Sequence, residues 1–474
     1  MQTQLCWFRT DLRAKDNPAL SNALASGPTR AVYIATPDQW QQHVDAPVKL
    51  DFWRRNLIEL QKELRKLNVD LLFFQVADYR EIPKLLQYLF GRMNVSQLHY
   101  NRELPLNEMR RDELVGEVCS QQGVGVSYFD DQLLVPPQSA LNKSALPFKV
   151  FTPFARKALA SIQNNLSLSS GKVTPIGNIV TLPPTPVLER QCELEDISWP
   201  QPQRKWSCDW PAGEAVAEAR LEKFVQTQIS TYKCRRDIPS LNATSQLSAY
   251  LTGGVISVAE CWRKARQYFD DTGVERWQNE LLWREFYRHT VYHFPRISMH
   301  KAYRENTSHI PWRHDHKEFE RWCKGQTGYP LVDAGMRQLL ACGWMHNRLR
   351  MVTAMFLSKH LLIDWRWGER WFMQNLIDGD FASNNGGWQW SASTGVDAAP
   401  YFRIFSPTRQ AQRFDPEGGF IRHYVPELET LQKKFIHSGG AGISPNYPAP
   451  MVEHKFARER AILAFKAGGN PDIR

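Results

Sequence analysis

The stretch LIDGDFASNNGGWQWSASTG (376–395) holds the densest run of chemically capable side chains in the chain. Asp378 and Asp380 are paired carboxylates, Asn384 and Asn385 are adjacent amides, and Gly386 and Gly387 precede Trp388 and Trp390. Carboxylates at this spacing could hold Mg²⁺ or hydrolyse a glycoside. Neither chemistry accounts for the amides and the indoles. The glycines point instead to backbone packed close against something.

Three further segments carry polar groups where a plain core would not place them. In WQNELLWREFYRH (277–289), Trp277, Glu280, Trp283, Arg284 and Tyr287 fall within an arc of about 120° on a helix. Glu280 and Arg284 could pair with each other at i,i+4, or the arc could wall a cavity that stacks a flat ligand. In GWMHNRLRM (343–351), Trp344, Asn347, Arg348 and Met351 share a face. His346 lacks the companion histidines of a zinc motif, so no metal is expected. In ATSQLSAYL (243–251), the Ser and Thr residues suit a helix N-cap. Such a terminus is either an ordinary cap or a phosphate site.

These segments need elements to hold them. Residues 1–130 alternate between short apolar runs, at 4–9, 30–36, 70–76, 96–101 and 124–130, and helical patterns. The clearest helix has Leu50, Trp53, Leu57, Leu60, Leu64 and Leu67 at steps of three and four. The alternation predicts an α/β domain with a five-stranded parallel sheet, Rossmann-like in layout. It has no GxGxxG, so no phosphate loop of the usual kind is expected there. Residues 131–205 are rich in proline and read as an interdomain linker, with a short helix near 154–163. From 206 to 474 the period is helical almost throughout, which predicts a larger all-α domain.

Composition narrows the function. The chain has 474 residues, long enough for two to four domains, with 59 Lys+Arg against 49 Asp+Glu and a net charge of +10. The excess leans towards a polyanionic partner. No apolar stretch is long enough to cross a bilayer, and the charges at Arg9, Asp11, Arg13 and Lys15 argue against a signal peptide. The 8 cysteines include no CxxC pair, so neither a zinc site nor a disulfide framework is expected. Tryptophan stands out: 17 in all, most of them in the helical half. Indoles can pack, stack bases, wall a flavin or carry electrons, and composition does not choose among these.

WFRTDLRAKDNPAL (7–20), TGYPLVDAGMRQL, GWMHNRLRM, LIDWRWGERWF and IDGDFASNNGGWQW occur in this order along the chain. With them the chain resembles the photolyase/cryptochrome family from end to end, and most of all the folate-type class I cyclobutane pyrimidine dimer photolyases of bacteria. The resemblance implies light-driven repair of cyclobutane pyrimidine dimers by electron transfer from excited, reduced anionic FAD to a flipped-out dimer. It implies a carbon–carbon lyase acting on UV-damaged DNA, monomeric, off the membrane, in the cytoplasm and with the nucleoid when on DNA.

The implied roles follow the motifs. FAD would be held by Tyr232, by Thr244, Ser245, Gln246, Leu247 and Ser248, by Trp277, Arg284 and Arg350, and by Asp378, Gly379, Asp380 and Asn384, with Asn384 beside flavin N5. Glu280, Asn347, Met351, Trp283 and Trp390 would meet the dimer, Glu280 as a protonated donor. Arg236 and Arg348 would join Glu280, Trp283 and Asn347 on DNA. Trp388, Trp365 and Trp312 match a chain of three tryptophans that carries electrons to the flavin. His43, Asn107 and Glu108 match contacts to a 5,10-methenyltetrahydrofolate antenna. Met299, followed by His300 and Lys301, stands where folate-type relatives carry a lysine. The same resemblance admits a cryptochrome-type blue-light receptor. A chain that stops at Arg474 leaves little tail for signalling, and Asn347 and Met351 stand where (6-4) repair enzymes carry a His pair.

Overall fold

The computed structural model describes residues 2–164, 188–202, 209–267, 272–437, 444 and 446–468. Strands β1 (Thr3–Phe8), β2 (Thr29–Ala35), β3 (Leu71–Gln75), β4 (Val95–Asn101) and β5 (Gly125–Phe129) lie within a residue or two of the five apolar runs. They pair in parallel in the order β5-β4-β1-β2-β3. The expectation of five strands falls short by one. Gln191–Cys192 forms β6, antiparallel against Phe73 and Phe74 of β3, so the sheet has 6 strands and is mixed. Two residues carry no readable period, which is why this stretch passed as linker in the sequence.

Alternation along the strands sorts the core. Leu5, Trp7, Val32, Ile34, Leu72 and Phe74 face α3 (Ile82–Met93) and α4 (Leu106–Gln122). Cys6, Phe8, Ala31, Tyr33, Leu71 and Phe73 face α1 (Pro18–Ser26) and α2 (Pro47–Lys66). Asn17 starts α1, its Oδ1 accepting from Leu20 N at 3.1 Å, with Pro18 in the first turn where its missing N–H costs nothing. This second core continues into the helical half through Trp262, Leu281 and Phe286. The sheet domain and the helices therefore share one apolar interior.

Helix α5 (Phe151–Asn164) is longer than the sequence suggested and packs on α6 (Thr272–His293), burying Phe154, Ala155, Ala158 and Ile162. Upstream, the N–H groups of Leu134 and Val135 both donate to Glu285 Oε1 at 2.9 Å, so a buried carboxylate of α6 fastens the linker. The polar run 164–172 and Pro175, Pro183, Pro184 and Pro186 lie almost wholly outside the described residues. Helices α7 (Asn347–Met355), α8 (Trp365–Met373) and α9 (Phe381–Ala392) form the centre of the other half, with α9 packed against α6, α7 and α8.

Candidate active site

The N-terminus of α9 organises the site. Asp380 is its N-cap: Oδ2 accepts from Ser383 N at 2.9 Å and Oδ1 from Arg288 at 2.7 Å. Burial alone would raise this carboxyl; Arg288 and then Arg284 outweigh it and hold the group below its ordinary value. The backbone before the cap is tied across the domains, since Lys49 Nζ donates to Gly379 O at 2.8 Å.

Asp378 differs from Asp380 in having spare capacity. Its Oδ2 accepts from Arg350 at 2.7 Å, and Oδ1 is buried without a partner. Arg350 also donates through Nε to Met345 O at 2.8 Å, which fixes the guanidinium. A buried carboxylate oxygen without a donor is costly unless a ligand supplies one.

One turn into α9, Asn384 Nδ2 donates to Glu369 O at 3.0 Å, and Asn385 Nδ2 to Glu369 Oε1 at 2.7 Å. Gln389 continues the network by donating to Asn385 Oδ1 at 2.7 Å. Burial pushes the Glu369 carboxyl up to about 7, with the Asn385 hydrogen bond pulling the other way. The paired glycines have separate reasons. A Cβ on Gly386 would lie 2.2 Å from Tyr287 Cδ1, whereas one on Gly387 would meet nothing within 4 Å.

Helix α6 supplies the aromatic wall. Trp277 is buried against Phe224, whose ring meets Tyr232 edge-on at 5.7 Å. Trp283 is half-buried and stacks on Phe151. The Glu280–Arg284 pair does not form. Arg284 donates to Gln132 O at 2.8 Å, and burial together with Arg288 pulls its guanidinium down to about 10. Glu280 instead pairs with Arg236, and with Arg276 at 3.5 Å. Asp237 adds Arg348 at 2.9 Å, so the two arginines expected on DNA are each held by a carboxylate. Glu280 thus faces two guanidiniums, of Arg236 and Arg276.

The segment 243–251 forms a helix only over Ser248–Thr252, with Leu247 at its N-cap and no side-chain cap bond, so the expected Ser/Thr cap is absent. Gln246 takes a left-handed conformation (φ 50°) and accepts from Arg220 at 2.9 Å, which turns the chain before a cap can form. Ser248 Oγ accepts from Trp344 Nε1 at 3.2 Å; Thr244 and Ser245 are half-buried in the turn. His346 is the N-cap of α7, its Nδ1 accepting from Arg348 N at 3.1 Å, and burial lowers it to about 4. It is a structural histidine. Asn347 opens α7, exposed, with Met351 half-buried one turn on; Trp390 is half-buried on α9.

Trp388, Trp365 and Trp312 belong to one apolar cluster, the first two buried and Trp312 only partly so. Trp388 docks edge-on to Phe372 at 4.9 Å, over Gly368, where a Cβ would lie 2.1 Å from its Cη2. Trp312 meets Phe465 at 5.9 Å.

A cavity of about 820 Å³ separates the sheet domain from the helices. His43, Asn107 and Glu108 meet on its wall: Asn107 Nδ2 lies 3.1 Å from His43 Nε2, and Glu108 Oε1 lies 3.7 Å from His43 Nδ1. Glu108 Oε2 is buried without a partner, as are the lining indole nitrogens of Trp53 and Trp371. Burial raises the Glu108 carboxyl, against a lowering pull from His43. Met299 is 50% exposed and does not line the cavity, while Ser298 and His300 do.

The sequence reading missed Phe151, Glu369 and the Asp237 bridge. A buried Glu within the WRWGERWF run was the one available hint.

Fold and site together define a two-domain protein with a polar, aromatic-walled centre in its helical half and a ligand-sized cavity between the domains. Residues 277–467 match the FAD binding domain of DNA photolyase, and residues 4–173 match DNA photolyase. A deoxyribodipyrimidine photo-lyase from Vibrio cholerae is 44% identical across 98% of this chain and 99% of its own length. A bacterial class III photolyase from Agrobacterium tumefaciens superposes with a TM-score of 0.88 at 34% identity, covering 99% of this chain and 98% of that one. A cryptochrome from Synechocystis gives 0.85 at 27% identity, covering 98% and 99%. The chain belongs to the DNA photolyase family, and its cofactor is FAD. The free Asp378 Oδ1, steadied through Arg350, fits a cofactor that brings N–H and O–H donors to this wall.

Proposed function

We propose that the protein repairs cyclobutane pyrimidine dimers in DNA under light. The observation that carries this is the full-length match to a deoxyribodipyrimidine photo-lyase together with the buried, partnerless Oδ1 of Asp378. Bound FAD supplies the light-driven electron; the protein supplies position and electrostatics.

Asp378 and Arg350 hold the cofactor's polar edge, with Tyr232, the 244–248 turn, Trp277, Arg284 and Asp380 around it. Asn384, its amide nitrogen committed to Glu369 O, presents its carbonyl and delivers no carboxylic proton, which suits a reduced anionic cofactor. The damaged pair is weakly stacked and flips out of the duplex at small cost. Trp283 and Trp390 pack on it, Met351 lines the pocket, and Asn347 donates to a carbonyl that becomes charge-rich. Glu280, paired with Arg236, holds that arginine in place; Arg236 and Arg348 meet phosphates. Trp312, Trp365 and Trp388 pass electrons inward from the surface. His43, Asn107 and Glu108 bind a methenyltetrahydrofolate antenna. Among the described residues no helix is long and apolar enough to cross a membrane. We place the protein in the cytoplasm, as a monomer on nucleoid DNA.

The test adds a thymine-dimer oligonucleotide to reduced protein under blue light and in darkness. Intact thymines are expected only in the illuminated sample. Equal repair in the dark, or none in the light, sinks the reading; the latter with flavin bound favours the cryptochrome-type receptor.

A further inference from the structure

A ladder of ring contacts runs from Trp388 to the surface through residues outside the three-tryptophan relay. The short helix His316–Cys323 places His316, Phe319 and Trp322 at steps of three, along one side. Trp322 is fully buried and meets Trp388 edge-on at 6.0 Å. Phe319 stacks on Trp322 at 5.7 Å and meets Trp367 of α8 edge-on at 5.3 Å. The half-buried Trp367 in turn stacks on the exposed His316 at 4.6 Å. Trp365 and Trp367, two residues apart, leave α8 on nearly opposite sides, about 160° from each other. The indole N–H groups give the ladder a direction. Trp388 Nε1 is buried without a partner, whereas Trp322 Nε1 donates to Thr353 O at 3.1 Å. A carbonyl dipole aimed at the ring stabilises positive charge there, so charge left on Trp388 runs downhill to Trp322. Phenylalanine is too hard to oxidise to hold the charge, and the Phe319 ring bridges Trp322 to Trp367.

We propose that the relay forks at Trp388, with Trp322 and Trp367 forming a second exit for positive charge. This rests on the reading that Trp388 reduces the oxidised cofactor in light. Each step moves one electron: Trp388 gives one to the photoexcited cofactor, Trp322 refills Trp388, and Trp367 refills Trp322. An exogenous thiol then refills Trp367, losing its proton to solvent and leaving as a thiyl radical that couples with a second to a disulfide. The ladder ends at a half-buried indole beside an exposed imidazole, where a small reductant reaches it.

The test illuminates FAD-bound protein with dithiothreitol and follows photoreduction by absorbance, while flash photolysis reads the indole radicals. The photoreduction that remains in Trp312→Phe is expected to run through the ladder. Trp367→Phe alone should change the rate less than about twofold, yet in the Trp312→Phe protein it should lower the remaining rate about tenfold, because parallel exits are non-additive. Trp322→Phe should act as Trp367→Phe does. Trp367→Tyr, whose ring can still be oxidised, should retain part of the remaining rate. After a flash, Trp312→Phe should show a long-lived indole radical that dithiothreitol shortens and that disappears when Trp367 is also replaced. A remaining rate untouched by Trp367→Phe and Trp322→Phe, or no remaining rate in Trp312→Phe, would overturn the inference. Photoreduction at full rate in Trp388→Phe would remove the relay reading itself, and the fork with it.

Discussion

Phe151 and Trp283 lie face to face, with ring centroids 3.9 Å apart and planes 7° from parallel. The stack joins α5 of the linker region to the aromatic wall of α6, and Phe151 is fixed in turn by its N–H donating to Asp397 Oδ2 at 3.1 Å. One face of Trp283 is thus covered before any substrate arrives. An aromatic pair contributes about 1 kcal/mol beyond its buried area. Phe151→Ala should therefore weaken binding of dimer-containing DNA about fivefold, with undamaged DNA little affected. Trp283→Ala should do the same more strongly. Gel-shift or fluorescence-anisotropy titrations on both DNAs decide; equal losses on the two would deny the stack a place in dimer recognition.

Trp312 is the partly exposed member of the three tryptophans. Trp312→Phe should slow photoreduction of the oxidised cofactor at least tenfold, since phenylalanine is much harder to oxidise. Repair after chemical reduction should be unchanged. Absorbance during illumination and a repair assay on dithionite-reduced protein separate the two. Lost repair after reduction would show that Trp312 does something other than relay electrons.

Glu369 titrates at about 7 in the folded protein, against 4.5 as its ordinary value. Between these values the folded chain holds a proton that the unfolded chain has released. Stability from this group therefore falls as pH rises from about 4.5 to about 7, and then levels. Glu369→Gln keeps the shape and removes the charge. Its Tm should decline less with pH across this window than that of the unaltered protein. Parallel curves by calorimetry would rule out this titration.

The neighbouring glycines of α9 should respond oppositely to alanine. Gly386→Ala forces a methyl against Tyr287 and should cost about 1–3 kcal/mol. Gly387→Ala meets nothing within 4 Å and should gain up to about 1 kcal/mol from reduced backbone freedom in the unfolded chain. Thermal melts of the two variants test the pair, and a stable Gly386→Ala would discard the clash.

Much of the fold could be read locally. Strands β1 to β4 and α2 showed their periods, since each buries one or both faces and its side chains record which; β5, exposed or half-buried throughout, showed itself only by its apolar run. Asp380 stood out in the sequence as one of two paired carboxylates, and only the structure shows it as the N-cap of α9. β6 was not legible: two residues pair only because an edge of β3 is there to meet them. Arc arithmetic found Glu280 and Arg284 on one face, but proximity along a helix did not make them partners. Arg236 and the Gln132 carbonyl, from remote parts of the chain, competed and won.

The amino-acid order by itself determined which types of side chain were available and which helix faces or strand sides they share, because those follow from fixed repeats of the backbone. Tertiary packing alone decided which carboxylates are spent and which are spare. Asp380 is saturated by Ser383 and Arg288, Asp378 keeps one oxygen open, and Glu369 is buried deeply enough to hold its proton near neutrality. Those differences depend on desolvation and on charges brought in from distant segments, and neither quantity is written in any local stretch of sequence.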